Sequence, residues 1–285
     1  MDVSTYFNKK KVNGLFGIEI ELEADHLPKS IPFATWRVEE DGSLRGEDNA
    51  EYVLKKPLDR EEALSAVSDL REFLKRYGSV IDLSRRTSTH VHVNMTDMSM
   101  VHLFNFITLL YIFEELLVDW CGDARKGNLF CLRAKDAPAV IEKITQYINA
   151  DALHMIGDNV RYSTVNLASL PKYGSLEIRC LRGTVDDKVL TTWLGVLEHL
   201  KKISTTYDHP TSVIGELSEL GIQNFAKKAL GNFYRTFYTG VGKGKKVLEG
   251  TRLVQDLVFL ADWDKVFMGR EEIPAPVWFD EEEDQ

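Results

Sequence analysis

The segment Gly17–Glu23, GIEIELE, alternates apolar and acidic side chains without interruption. A period of two predicts a β-strand with one buried and one exposed face. The exposed face would carry Glu19, Glu21 and Glu23, roughly 7 Å apart along the strand. Glutamate is depleted in strands, and like charges on one face repel each other. Because Mg²⁺ and Mn²⁺ prefer oxygen ligands, the segment favours a divalent-metal site over a merely solvated polar face.

Composition narrows the class of protein. A chain of 285 residues can form one large domain, or a domain with a sizeable extension. Five of its nine net negative charges come from the consecutive acids Asp280–Asp284, which leaves −4 for the rest of the chain. This acidic end predicts a disordered, solvating tail. Without a net basic balance, we expect no nucleic-acid partner.

Neither a secreted nor a membrane protein is indicated. The three cysteines are odd in number and lack CxxC spacing, so neither a disulfide framework nor a zinc ribbon follows. Residues 1–11, MDVSTYFNKKK, lack the apolar core of a signal peptide. The long apolar stretch Val101–Val118 is interrupted by Asn105, Glu114 and Glu115, which argues against a membrane span. We therefore expect a cytoplasmic protein without a membrane partner.

Hydrophobic periodicity predicts the remaining elements. Strands are predicted at Trp36–Glu40, Glu51–Leu54, Thr89–Met95, Arg161–Leu167 and Ser175–Cys180. Helices are predicted at Asp59–Tyr77, Met98–Trp120, Ala137–Asn149 and Asp186–Ile203, followed by two or three more beyond Tyr207 that Gly240–Lys246 divides. Because strands and helices do not alternate regularly, the order favours an α+β fold over a doubly wound parallel sheet. We expect a curved antiparallel sheet, with helices on its apolar face and a polar concave face opposite.

Three of these strands bring chemically useful side chains to alternate positions. They are Glu19 and Glu21 on the first strand, His90, His92 and Asn94 on the second, and Glu177 and Arg179 on the third. Glu51 adds a carboxylate beside the Asp41-Gly42 turn, and Arg182 follows the last strand. Carboxylates that hold metal ions on ATP phosphates, with arginines that neutralise the transferring group, suit phosphoryl transfer.

Other interpretations of these residues stay open. His90-Val91-His92 could begin a zinc site of a metal-dependent hydrolase, and Glu177 with Arg179 could be a surface ion pair. Thr239–Lys246, TGVGKGKK, resembles a phosphate-binding loop but lacks the GxxxxGK[ST] spacing, so a connector between helices is favoured. The acidic tail and the C-terminal region could instead dock a partner, as in a catalytically inactive interaction protein.

Six segments in this order resemble the amidoligase family, which is related to glutamate–cysteine ligase and glutamine synthetase. They are GIEIELE (17–23), WRVEEDGSL (36–44), AEYVLKKPL (50–58), STHVHVN (88–94), RYSTVNL (161–167) and SLEIRCLRGT (175–184). The resemblance implies a glutamine synthetase-like catalytic domain over residues 1–205, with residues 206–285 as a helical C-terminal extension. It also implies that ATP and two or three Mg²⁺ ions, or Mn²⁺, bind the concave face. Such enzymes phosphorylate a carboxylate to an acyl phosphate, which an amine attacks to form an amide or isopeptide bond.

The resemblance also assigns roles by position. It implies metal ligands at Glu19, Glu21, Glu51 and Glu177, catalytic roles for Arg179, Arg182 and His92, and nucleotide or cofactor contacts at His90, Asp41, Ser43 and Asn166. The substrates would be a carboxylate and an amine, carried by an amino acid, a peptide or a protein side chain. Their identity depends on loops and pocket shape rather than on the phosphate-handling residues.

Overall fold

The computed structural model describes residues 1–45, 48–81 and 84–268. Within these ranges one antiparallel sheet has the order β2-β3-β1-β4-β6-β5. Its strands are β1 Phe16–Ala24, β2 Trp36–Glu39, β3 Asp48–Leu54, β4 Ser88–Asn94, β5 Val165–Asn166 and β6 Ser175–Arg182. The predicted α+β class is confirmed. The predicted disordered tail lies outside the described residues.

Helices pack against this sheet and against each other. They are α1 Val3–Tyr6, α2 Arg60–Tyr77, α3 Met100–Cys121, α4 Ala139–Asn149, α5 Ser169–Tyr173, α6 Asp187–Ser204, α7 Pro210–Leu230, α8 Tyr234–Tyr238, α9 Lys243–Leu260 and α10 Asp264–Phe267. Gly221, with φ of 72°, interrupts α7. The long predicted helices are confirmed to within two residues at each end.

The central strand β1 shows the alternation expected from its sequence, with one correction. Its apolar side chains are at most 3% exposed and belong to the core. The acidic face, expected to be exposed, is enclosed instead: Glu21 is 5% and Glu23 is 6% exposed. Backbone N–H groups bind these two carboxylates: the N–H of Ser88 donates to Glu21 at 3.0 Å, and the N–H of Arg45 donates to Glu23 at 2.7 Å.

Helix α3 is the centre of the helical layer. Ser99 caps its start by accepting a hydrogen bond from the His102 N–H at 3.2 Å. Its length and apolar composition would suffice to cross a membrane, but 89% of its most apolar 18-residue window is buried inside the fold. Helix α3 is therefore apolar on all sides because it is a buried core helix.

The described part of the C-terminal extension packs directly onto α3. Gly250 of α9 lies so close that an added Cβ would be 2.4 Å from the Tyr111 carbonyl oxygen. Phe225 of α7 stacks on Phe113 of α3, with ring centroids 5.9 Å apart. The glycine- and lysine-rich segment ends inside α9, where Lys243 pairs with Asp119 of α3 at 2.6 Å. α3 is thus covered by the sheet on one side and by the C-terminal helices on another.

The segment before β6 differs from its predicted form. Of the predicted strand Arg161–Leu167, only Val165–Asn166 pairs with β6. Ser163 turns the chain there, because its hydroxyl donates to the carbonyls of Val160 and Val165, both at 2.7 Å. The predicted loop after it contains the short helix α5, which ends at Gly174 with φ of 71°.

Candidate active site

The register of the central strands brings the acidic and imidazole side chains onto one face. Glu19 lies opposite His90, and Glu21 lies opposite Glu51. His92 lies opposite Glu177 on β6. Side chains of directly opposed residues are neighbours across an antiparallel pair. The three polar patterns found in the sequence therefore converge on one site.

Gly17 makes room for one of the histidines. It lies opposite His92 on the neighbouring strand. A Cβ at this glycine would be 3.3 Å from the His92 Cβ, closer than side chains normally approach. At Gly17 the missing side chain therefore leaves room for His92, and the glycine is not there to form a turn.

His90 lies between three carboxylates. Its Nδ1 is 3.3 Å from Glu19 and 3.6 Å from Glu177, and its Nε2 is 3.7 Å from Glu21. The Ser88 hydroxyl lies 2.7 Å from the same Nε2 and also donates to Glu21. His90 is only 3% exposed, so it is a buried link within the acidic cluster.

His92 presents an unsatisfied nitrogen to the cluster. Its Nδ1 lies 3.1 Å from the Ser175 hydroxyl, and its ring meets the edge of Tyr173 at 5.9 Å. Its Nε2 is buried and 3.2 Å from a Glu19 oxygen, but it is not aligned for a hydrogen bond and has no hydrogen-bond partner among the described residues. A buried ring nitrogen in this state is suited to a metal ion.

Two overlapping groups of these side chains could each hold a metal ion. One group is Glu19, His92 and Glu177, and the other is Glu19, Glu51 and His90. In each group the ligand atoms lie within 4.8 Å of one another. Carboxylate oxygens supplemented by imidazole nitrogen fit Mg²⁺ or Mn²⁺, and imidazole also suits Zn²⁺. Glu19 belongs to both groups, so it is the shared centre of the site.

Repulsion among the carboxylates shows in the pKa of Glu51. Burial raises the pKa of Glu51, and the negative charges of Glu19, Glu21, Asp41 and Glu39 raise it further, to about 8. Burial likewise raises the pKa of Glu21. With a pKa of about 8, the Glu51 carboxyl group keeps its proton at neutral pH when no metal ion is bound. A bound cation would relieve the same repulsion and favour the ionised carboxylate.

Around Glu19 and Glu177, neighbouring imidazole and guanidinium groups compensate the negative charge of the carboxylates. Burial raises the pKa of Glu19, but the His90 and His92 imidazoles beside it outweigh this effect and hold the pKa of Glu19 well below its usual range. For Glu177, burial is outweighed by the adjacent Arg179 guanidinium, which lowers the pKa. Glu19 and Glu177 are therefore ionised and ready to bind a cation.

A bulge in β6 orients the Arg179 side chain. Ile178 pairs with Val91 but Leu181 with Thr89, so β6 carries one extra residue at this point. The Arg179 guanidinium donates to Glu177, and its Nε donates to the Phe130 carbonyl at 3.3 Å. Bulges commonly redirect side chains next to functional sites.

A buried arginine that the sequence did not suggest holds this bulge. Arg125, 1% exposed, donates to the carbonyls of Cys180 at 3.1 Å, Arg179 at 2.9 Å and Thr87 at 3.2 Å. These bonds supply a charged donor to three backbone carbonyls at the point where the ladder is irregular. Arg125 lies in the polar stretch DARKGN, which offers no local signal of burial.

The remaining predicted residues are placed differently. The Asn166 amide donates to Glu177 at 2.6 Å, and Asp41 lies beside Glu21 and accepts from the Ser43 N–H at 2.7 Å. Ser43 thus contributes its backbone to the turn. Arg182 is not brought to the cluster by any described contact: it donates to the Cys121 carbonyl at 3.3 Å and lines a separate pocket with α2.

Two clefts open from the cluster, and both are bordered by Glu19, His92 and Tyr173. The larger, about 330 Å³, has apolar walls and includes Lys55 and Lys56; its apolar lining is Val12, Ile18, Val53, Leu54 and Pro57. The smaller, about 200 Å³, is polar and is lined by the cations Arg161, Lys172 and Arg179. Tyr173, which borders both clefts, was not among the predicted site residues because it lies in a segment predicted to be a loop.

Comparison with known proteins identifies the family of the chain. The family model described as "Putative amidoligase enzyme" matches residues 9–200, which is well over half of the chain and includes every residue of the cluster. No curated protein matches the chain. The chain belongs to the amidoligase family.

Proposed function

We propose that this amidoligase joins a carboxylate to an amine at the expense of ATP, with Mg²⁺ or Mn²⁺, through an acyl-phosphate intermediate on a glutamine synthetase-like sheet. The observation that carries the proposal is the pair of ligand groups that share Glu19. Arg179 borders the same cluster through Glu177. Two cation positions with a guanidinium beside them are the requirements of phosphoryl transfer.

The residues present fit a divalent metal. Glu19, Glu51, Glu177 and the two histidines would hold it, and the orphaned Nε2 of His92 and the raised pKa of Glu51 are both relieved by a cation. Bound there, the metal would neutralise charge on the nucleotide phosphates.

The two clefts suggest how the nucleotide is held. The apolar walls of the larger cleft suit a base and ribose, because ligand pockets are mostly apolar with a few polar groups. Lys172 in the smaller cleft suits the nucleotide phosphates, and Arg179 in the same cleft suits the group that is transferred. A carboxylate oxygen of the acid substrate then attacks the γ-phosphorus, and the bond to the ADP oxygen breaks.

Arg179 stabilises the negative charge that spreads over the transferring group. In the second step the amine nitrogen attacks the acyl carbon, the phosphate leaves with the carbon–oxygen bond broken, and the nitrogen loses a proton. Amide, ADP and phosphate are the products.

Hydroxylamine trapping tests the reaction before its substrates are known. The protein is incubated with ATP, Mg²⁺, hydroxylamine and pooled amino acids or peptides. Because hydroxylamine converts acyl phosphates into hydroxamates, we expect an ATP-dependent hydroxamate that reveals the acid substrate. ATP hydrolysis with no hydroxamate across broad pools contradicts ligase chemistry.

The two imidazoles in the cluster support a second candidate, a zinc-dependent hydrolase. Thermal unfolding separates the two functions. ATP with Mg²⁺ should stabilise the ligase by about 2–3 kcal/mol at a hundredfold excess over Kd. A response to Zn²⁺ alone, with none to ATP and Mg²⁺, favours the hydrolase.

A further inference from the structure

A rim of two adjacent aromatic side chains, with an arginine at each end, runs along one side of the site. The Arg86 guanidinium lies 5.9 Å above the Phe130 ring, and Phe130 meets Tyr162 edge to face at 6.4 Å. Arg161 lies 4.9 Å above the other aromatic ring, that of Tyr162. We call these four residues the Arg-aromatic rim.

The rim adjoins the reacting groups along its length. The Phe130 carbonyl accepts a hydrogen bond from Arg179 at 3.3 Å. At one end, Arg86 donates to the Ser43 carbonyl at 3.1 Å, in the same turn as Asp41. At the other end, Arg161 lines the smaller cleft with Glu177 and Arg179. Whatever binds the rim therefore lies beside the metal-binding cluster.

Neither arginine of the rim forms an ion pair with a described residue. Arg86 contacts a carbonyl and an aromatic ring, and no carboxylate of the described residues is within 4.0 Å of it. Arg161 likewise has no carboxylate of the described residues within 4.0 Å; Asp158 interacts with it electrostatically at longer range, but forms its ion pair with Lys172 at 2.7 Å. By contrast, Arg133 pairs with Glu115, a carboxylate on the helical side of the fold.

The rim is also accessible and partly apolar. Tyr162 is 43% exposed, and Leu129, the residue before Phe130, is 74% exposed. Exposed aromatic side chains with arginines are typical of surfaces that bind other molecules. Two guanidiniums separated by two rings match an extended ligand better than a single small anion.

We propose that the Arg-aromatic rim binds an acidic peptide segment, so that the acid substrate is a carboxylate within a peptide rather than a free amino acid. This inference rests on the proposed ligase function. One carboxylate would enter the cluster beside Arg179, while neighbouring carboxylates pair with Arg86 and Arg161 as planar forks. Phe130 and Tyr162 hold the guanidiniums by cation–π contact and cover apolar parts of the peptide.

Binding to the rim is measured without any chemistry. Fluorescence anisotropy follows a labelled, end-capped hexaglutamate peptide added to the protein with Mg²⁺. The double variant R86Q/Y162A should raise Kd about tenfold, as expected for the loss of an ion pair and a ring contact. The matched control R85Q/Y77A, which changes an exposed arginine and an exposed tyrosine outside the rim, should leave Kd unchanged.

The substrate is tested with the same peptide in the hydroxylamine assay. We expect kcat/KM for hexaglutamate to exceed that for free L-glutamate by at least about tenfold, and R86Q/Y162A to remove this preference while the KM for ATP stays constant. Unfolding midpoints of all variants establish that they are folded.

The possible results are distinguishable. Hydroxamate from free amino acids, with no peptide binding, overturns this inference but leaves the ligase function intact. If the peptide binds through the rim but no acid gives a hydroxamate, the rim remains a binding surface. The ligase function is then overturned, and so is the peptide as its substrate. Tighter, equally rim-dependent binding of labelled dT10 overturns the peptide as the natural occupant in favour of single-stranded nucleic acid.

Discussion

At the residue scale, Glu51 reports the electrostatic state of the site. Its pKa is raised from 4.5 to about 8, so between these values the folded protein holds a proton that the unfolded chain has lost. The free energy of unfolding of the metal-free protein should therefore fall as the pH rises from about 5 to 8. Mg²⁺ or Mn²⁺ should oppose this fall, because the ionised carboxylate is the metal ligand.

Thermal unfolding at several pH values, with a chelator or with Mn²⁺, measures the effect. Glu51→Gln should reduce the pH dependence and also the stabilisation by Mn²⁺. Glu114→Gln is the control: Glu114 is buried in α3, and its pKa is also raised to about 8. This variant should reduce the pH dependence but keep the response to Mn²⁺. Equal Mn²⁺ responses in both variants would remove Glu51 from the ligand set.

Arg179 is expected to act in the transition state. Arg179→Ala should lower kcat by about 10²–10³-fold while nucleotide binding is retained, since charge on the transferring group develops only during reaction. Glu177→Gln should instead weaken metal binding, because Glu177 belongs to a ligand group. Steady-state kinetics and calorimetric titration with Mn²⁺ separate the two outcomes; a purely raised KM for ATP in Arg179→Ala argues against its assigned role.

The sequence predicted which residues share the polar face of the sheet wherever the alternation along a strand was enough to assign them. Glu19, Glu21 and Glu177 share one face of the sheet with His90 and His92 because each lies at an alternate position of a strand. The enclosure of the acidic face could not be predicted, because it comes from residues distant in sequence. Ser88 and Arg45, for example, donate to Glu21 and Glu23 across separations of 67 and 22 residues.

At the element scale, the β6 bulge depends on Arg125. Arg125→Met should lower the free energy of unfolding by about 3 kcal/mol or more, because three buried carbonyls lose a charged donor. Activity should fall as well, since the bulge orients Arg179. Urea unfolding and kcat measure the two effects. Arg125→Lys, which keeps the charge but not the planar fork, should recover part of the stability; a fully stable Arg125→Met contradicts the assignment.

Local signals determined which elements were predicted correctly. Gly78, with φ of 85°, caps the end of α2, and Asp186 caps the start of α6, where its carboxylate accepts from two backbone N–H groups. Such caps can be read directly from sequence. The two-residue strand β5 could not, because it is fixed by pairing with β6 and by a bridge between Ser163 and Leu132.

At the scale of the whole molecule, the helical extension should be required for folding. Truncation after residue 205 removes α7 and α9, and with them the close packing of Gly250 on α3. The apolar surface of α3 would then face water, so we expect an insoluble or molten product. Expression, solubility and near-ultraviolet circular dichroism test this, with truncation after residue 268 as the control for shortening; a folded, soluble 1–205 fragment contradicts it.

The strand order has a consequence for how the chain is made. The first strand to be synthesised, β1, ends up in the middle of the sheet, between β3 and β4. Its acidic face cannot be completed until β6, ending at Arg182, has left the ribosome, and α3 stays uncovered until α9 follows. Pairing across such separations is slow, and exposed apolar surface invites aggregation meanwhile. A nascent chain of this protein therefore has to be kept from aggregating for most of its synthesis.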